Sequence, residues 1–156
     1  MPGFVSNTVQ VHIAAIEPDS GQLKFLVLKR SAQVMPYPSI WQVVTGTMEA
    51  GETALRTALR EVKEETSLEP LKVWTVPYMA MFFDAGADQI NVSPVFGILV
   101  DFATPVILSQ EHCQYCWVDY PLCLEILFLP SHKNGTRIFY DYILNNNYSD
   151  SFLVDR

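Results

Sequence analysis

The chain has 156 residues, 49% hydrophobic and 17% charged, which describes one globular domain and excludes a disordered polymer. Ten Lys and Arg against 17 Asp and Glu leave a formal charge of −7. That balance argues against a nucleic-acid polymer as the main partner, because polymer binding needs a basic footprint.

No apolar run approaches the roughly 20 residues that span a membrane, and the first eight residues lack the basic flank and apolar centre of a secretory leader. Three cysteines, an odd number, imply no disulfide framework. The expected setting is the reducing cytoplasm, with no membrane partner. Oligomeric state is not readable from these features.

In chain order, residues 9–16 alternate, with Val9, Val11, Ile13 and Ala15 on one side, which predicts a strand. Pro18-Asp19-Ser20-Gly21 is a turn sequence: proline fixes φ, aspartate caps and glycine accepts positive φ. Residues 23–28 then form the return strand of a hairpin. Residues 31–39, holding Pro36 and Pro38, read as a loop, and 41–45 as a short strand ending at Gly46. Residues 51–66 have helical spacing. Residues 71–83 and 90–102 are β-rich, separated by a turn at 84–88. Residues 114–118 read as a last strand, 120–127 and about 135–144 as helices, and the polar tail from Asn145 as loose. With no repeat and no linker, residues 1–156 form a single mixed α/β domain.

The segment 46–68 carries the chemistry. At about 100° per residue, Leu55, Ala58, Leu59, Val62 and Thr66 form one stripe able to face a core. Glu61, Glu64 and Glu65 gather on a different side, with Arg56, Arg60 and Lys63 mostly away from them. Like charges three and four residues apart destabilise a helix by a few tenths of a kcal/mol per pair, and these sit in the C-terminal half, where the macrodipole disfavours anions. Three carboxylates so placed suit hard cations, because Mg²⁺ is held by a few carboxylates, retained waters and substrate phosphates.

Gly46, Glu52, Arg60, Glu61, Val62, Glu64, Glu65 and Leu68 fall in register with the Nudix box, and the segment resembles it. One position departs: Ser67 stands where the family has glycine. The resemblance implies an α/β/α sandwich with a mixed β-sheet and Mg²⁺-dependent hydrolysis of a diphosphate linkage, with Mn²⁺ able to substitute. It implies Glu61, Glu64 and Glu65 as metal-binding carboxylates, the Gly46 carbonyl in the metal shell, and Glu52 with Arg60 as a structural ion pair.

Residues 40–46, 49–53 and 60–65 look like the dihydroneopterin triphosphate diphosphatase subgroup, which also hydrolyses dATP. By the same resemblance Arg30 reaches substrate phosphate and Glu111 completes the metal site. Thr45 and Trp41 are candidate substrate contacts, and Glu61 or Glu111 would take the proton of the attacking water. The expected partner is a small phosphate-bearing substrate that leaves as a monophosphate and pyrophosphate. Alternatives are ADP-ribose, a dinucleoside polyphosphate, or a non-catalytic module that senses a nucleotide. His112, Cys113, Cys116 and Cys123 raise the question of zinc, but strand residues three apart face opposite sides, so Cys113 and Cys116 are not expected to chelate together.

Overall fold

In the computed structural model, which describes residues 1–147 and 149–156, the alternating segment becomes β2 (Thr8–Ile16). Its centre is buried on both faces, because a layer covers each side of the sheet. Val9, Val11, Ile13 and Ala15 pack with Leu26, Leu28 and Val44 against Ala58 and Val62 of α1 (Ala54–Thr66). From the opposite face Ala14, Phe25, Val27 and Val43 meet Phe139 and Ile143. Phe139 ends α3 (Pro130–Phe139), and Ile143 lies in the π-helical turn Tyr140–Leu144. This is the α/β/α sandwich.

The eight-stranded sheet is mixed. β2 pairs antiparallel with β3 (Leu23–Arg30), giving the expected hairpin, and antiparallel with β5 (Val44–Thr47). It runs parallel to β7 (Gln89–Leu99). β7 also pairs with the edge strand β6 (Lys72–Asp84) and, in parallel, with β1 (Gly3–Val5). On the other side β3 pairs with β4 (Trp41–Gln42) and β8 (His112–Val118). α2 (Tyr120–Ile126) follows β8 after the Asp119 cap.

Three expectations need correction. The strand at 41–45 is two strands, β4 on β3 and β5 on β2, divided at Val43, whose N–H donates to His132 Nδ1 at 3.4 Å. The helix expected from Gly135 begins at Pro130, because proline at the first helical turn lacks a donor that the turn would leave orphaned anyway. The tail is not loose. Val154 N–H donates to the Val73 carbonyl at 2.8 Å, Arg156 donates to the Pro70 carbonyl, and Phe152 and Val154 pack on the two cores. The apolar Phe152-Leu153-Val154 at its end outweighs the polar run before it.

A buried polar chain joins β2 to α3. Gln10 Nε2 donates to His12 Nε2 at 2.8 Å, His12 Nδ1 meets Thr136 Oγ1 at 3.2 Å, and that hydroxyl donates to the His132 carbonyl. Burial, aided by His132, pushes His12 down to about 3, so the ring stays neutral. Gly135 permits this close approach, since a Cβ there would overlap the His12 ring and the Gln10 amide. Gly135→Ala is expected to destabilise by about 1–2 kcal/mol in urea denaturation, the overlap outweighing the better helix propensity of alanine. Gly3→Ala, whose Cβ would meet nothing, should leave the transition unchanged.

Candidate active site

The helix that carries the acids is closed at both ends. Thr53 caps its start, accepting from Arg56 N–H, and Ser67 ends it at φ 60°, ψ 14°, donating to the Lys63 carbonyl. This left-handed turn costs a serine roughly 1 kcal/mol more than a glycine, and the helix stays complete through Glu65 and Thr66.

Arg60 does not fall away from the acids. Its long side chain folds back so that Nε and Nη2 donate to the two oxygens of Glu52 at 2.8 and 2.9 Å, and Nη1 donates to Glu61 at 2.8 Å and Glu64 at 3.2 Å. Nη2 also donates to the Thr47 carbonyl. Glu52 further accepts from Glu49 N–H and Thr57 Oγ1. The Arg60 hydrogen bonds, with the backbone donor next, hold the Glu52 carboxyl down at about 2.

Glu61 lies over the α-carbon of Gly46, where a Cβ would overlap its Cγ, Cδ and Oε1. The glycine of β5 is thus a steric requirement of the carboxylate above it. Burial raises the proton affinity of Glu61 beyond what Arg60 offsets.

Glu65 is the outlier. It is 3% exposed, and its Oε2 has no hydrogen-bond partner among the described residues. Burial first, then the charges of Glu111 and Glu61, push it up to about 9. The segment after β7 crosses the helix end, with Ile107 N–H on the Thr66 carbonyl, and brings Glu111 to the same place. That loop is fastened by the residue that follows the neighbouring strand β3: Ser31 N–H donates to the Glu111 carbonyl at 2.8 Å and Ser31 Oγ to the Gln110 carbonyl at 2.9 Å.

A cleft of about 350 Å³ is lined by Glu61, Glu64, Glu65, Ser109, Gln110 and Glu111. A slightly larger one, about 410 Å³, lies where the tail docks on Leu71, Lys72 and Val73 and gathers no such set of acids. The structure therefore brings together Glu61, Glu64, Glu65 and Glu111, with Gly46 beneath Glu61. Arg30, Thr45 and Trp41 do not line this cleft. Arg30 ends β3 opposite His112, its Nε buried without a partner among the described residues. Thr45 pairs with Gln10, and Trp41 packs on the core beneath Lys29.

His112 joins the site although sequence spacing gave it no role beside the acids. It is 4% exposed, and a ligand atom of its ring lies within 4.8 Å of ligand atoms of Glu65 and Glu111. Its Nε2 sits 2.7 Å from Gln42 Nε2, while Nδ1 has no partner among the described residues. The cysteines stand elsewhere as free thiols: Cys113 is exposed, Cys116 half-buried and Cys123 buried near Thr136. None of them joins a cluster of metal-ligating side chains among the described residues. A buried, partnerless carboxylate oxygen beside two further acids has the donor chemistry of a hard divalent cation.

A family model of the NUDIX domain matches residues 7–139. The chain belongs to the Nudix family. It is 56% identical over 115 residues to the dihydroneopterin triphosphate diphosphatase of Escherichia coli K12, covering 65% of this chain and 75% of that protein. The solved E. coli dihydroneopterin triphosphate pyrophosphohydrolase superposes with TM-score 0.67 at 25% identity, over 89% of this chain and 95% of that one. An octanoyltransferase of Myxococcus xanthus is 32% identical over 118 residues, 75% of this chain, which spans 32% of that protein's length. A Caenorhabditis elegans Ap4A hydrolase complex superposes with TM-score 0.75 at 19% identity, covering 91% of this chain and 99% of that one. Among the described residues no helix is long and apolar enough to cross a membrane.

The state of Glu65 has a readable consequence. A carboxyl whose folded pKa is raised contributes stability below its unfolded value of about 4.5, lost as pH rises through about 9. With EDTA present, the thermal midpoint should fall between pH 7 and 9, and Glu65→Gln should flatten that fall. A divalent cation ligated by Glu65 would reverse the slope, because ligation requires the ionised carboxylate. A midpoint rising with pH in EDTA would contradict the buried, repelled state of Glu65.

Proposed function

We propose that this Nudix protein is a Mg²⁺-dependent hydrolase that cleaves a diphosphate linkage in a nucleoside triphosphate-like substrate, releasing pyrophosphate and a monophosphate. The observation that carries this reading is the cleft in which Glu61, Glu64 and Glu111 gather beside the buried Glu65, whose Oε2 has no partner among the described residues.

Glu61, Glu64, Glu65 and Glu111, with the Gly46 carbonyl, would hold the cation, Mn²⁺ substituting for Mg²⁺. When bound, such ions supply charge neutralisation at non-bridging phosphate oxygens and a more acidic water. Glu61 or Glu111 takes the proton of the attacking water. The raised proton affinity of Glu61 suits that duty, and Arg60 keeps its carboxylate aimed. Glu52 serves as the structural partner that fixes Arg60. By the family resemblance Arg30 is assigned to substrate phosphate, and Thr45 and Trp41 to the part of the substrate that extends beyond the acidic cleft, which none of the three lines. The three free thiols fit a reducing, cytoplasmic setting.

Dihydroneopterin triphosphate or dATP is the preferred substrate class, because the E. coli relative is named for the former. A dinucleoside polyphosphate is the second reading, favoured by the superposition on the C. elegans Ap4A hydrolase. A nucleotide sensor without turnover fits less well, since every acid of the box is present.

At saturating Mg²⁺, Glu61→Gln and Glu65→Gln should each lower kcat about 100-fold or more. Near-normal turnover would remove these residues from the mechanism. Product analysis separates the substrates: pyrophosphate from dihydroneopterin triphosphate or dATP supports the first, and efficient cleavage of a dinucleoside tetraphosphate alone would replace it with the second.

A further inference from the structure

We propose that His112 supplies a nitrogen ligand to the divalent cation beside Glu65 and Glu111, with Gln42 selecting the tautomer that makes this possible. The inference rests on the metal-dependent reading above and deepens it, since that reading gives the cation oxygen ligands alone.

Buried histidines satisfy both ring nitrogens, and an orphan inside a folded domain calls for an explanation. Here His112 is 4% exposed, one nitrogen is engaged by Gln42, and Nδ1 has no hydrogen-bond partner among the described residues. Glu65 Oε2 is orphaned in the same neighbourhood. Two orphans of complementary chemistry this close would form a hydrogen bond if the site were built for one.

The spacing fits a shared ion instead. Ligand atoms of Glu65, Glu111 and His112 lie within 4.8 Å of one another. Two atoms each about 2.1–2.2 Å from one metal are roughly 4.4 Å apart when opposite and about 3 Å apart at right angles, so rotations of the three side chains by about an ångström bring the set onto one ion.

The backbone permits the convergence. Successive residues of a strand point to opposite faces, but β8 begins at His112, and Glu111 belongs to the loop before it. Gln42, itself 3% exposed, then acts as the orienting outer group. Its amide can present nitrogen or oxygen to His112 Nε2 at the same shape. With oxygen facing the ring it accepts Nε2–H, and Nδ1 is left with a lone pair available to the ion. Metal-ligating histidines are commonly held by such a second hydrogen bond.

A mixed nitrogen and oxygen set suits Mn²⁺ or Co²⁺ better than Mg²⁺, which prefers oxygen. The direct test is pulsed electron paramagnetic resonance of the Mn²⁺-loaded full chain, with unlabelled and ¹⁵N-histidine protein. The expected result is a nitrogen coupling from a directly bound imidazole that changes with the isotope. His112→Gln should abolish it and weaken Mn²⁺ binding about tenfold or more, while Mg²⁺ affinity moves far less. Because the wild-type spectrum alone decides the point, a variant that fails to fold does not protect the proposal. Saturable Mn²⁺ binding without nitrogen coupling overturns the His112 assignment and leaves the hydrolase reading standing. No saturable Mn²⁺ binding overturns both.

Discussion

Three glutamates on one side of a short helix repel one another, and the fold answers that repulsion with a single guanidinium. Arg60 contacts Glu52 through two parallel hydrogen bonds and reaches Glu61 and Glu64 through its remaining nitrogen. A planar fork of five donors can serve three carboxylates at once, whereas the point charge of a lysine cannot hold them in fixed directions. Glu65 lies outside this arrangement, buried beside Glu111 where the segment after β7 crosses the helix end. Arg60 therefore sorts the helix acids into those paired with protein and one that is not, and the proposed hydrolase reading places its cation at the unpaired one.

Each part of this arrangement has a steric support in another layer. β5 offers Gly46, so Glu61 can lie against the backbone. β5 is in turn held by β2, and β2 by the polar chain that runs through His12 to Thr136 on the opposite layer. The separation at Val43 belongs to the same construction: its N–H turns toward His132, which frees β5 to pair with β2 rather than continue β4. The acid helix on one face and α3 on the other are thus coupled through the sheet by specific hydrogen bonds as well as by packing.

Period-two alternation made β2 and the hairpin with β3 legible, because both rest on local pattern. The acids at 61, 64 and 65 were legible as a group for the same reason, and the Nudix resemblance led to Gly46, Glu52 and Arg60. What escaped depends on partners far away in the chain. Val43 divides a strand because of a ring 89 residues later. His112 matters through Gln42, 70 residues earlier, and through orphan status, which no local pattern encodes. Helical spacing placed Glu65 on the acid side without giving its depth, which comes from the loop laid over Thr66. Composition made the tail look loose, but three apolar residues near its end suffice to dock it. The fold of Arg60 toward the acids was missed because spacing locates a Cα, and a side chain of that length chooses its own direction.

The fastening of the Glu111 loop by Ser31 bears on how such a protein diversifies. Residues 31–39, with left-handed Tyr37 and Ser39, form an irregular segment of the kind in which sequence drift is best tolerated. Yet its first residue holds the carbonyls of Gln110 and Glu111. Insertions or deletions that move Ser31 therefore shift an acid of the cleft as well, so selection at this corner acts on two properties together. Descendants free to vary the segment are those that keep its first hydrogen bonds and change only the residues beyond them.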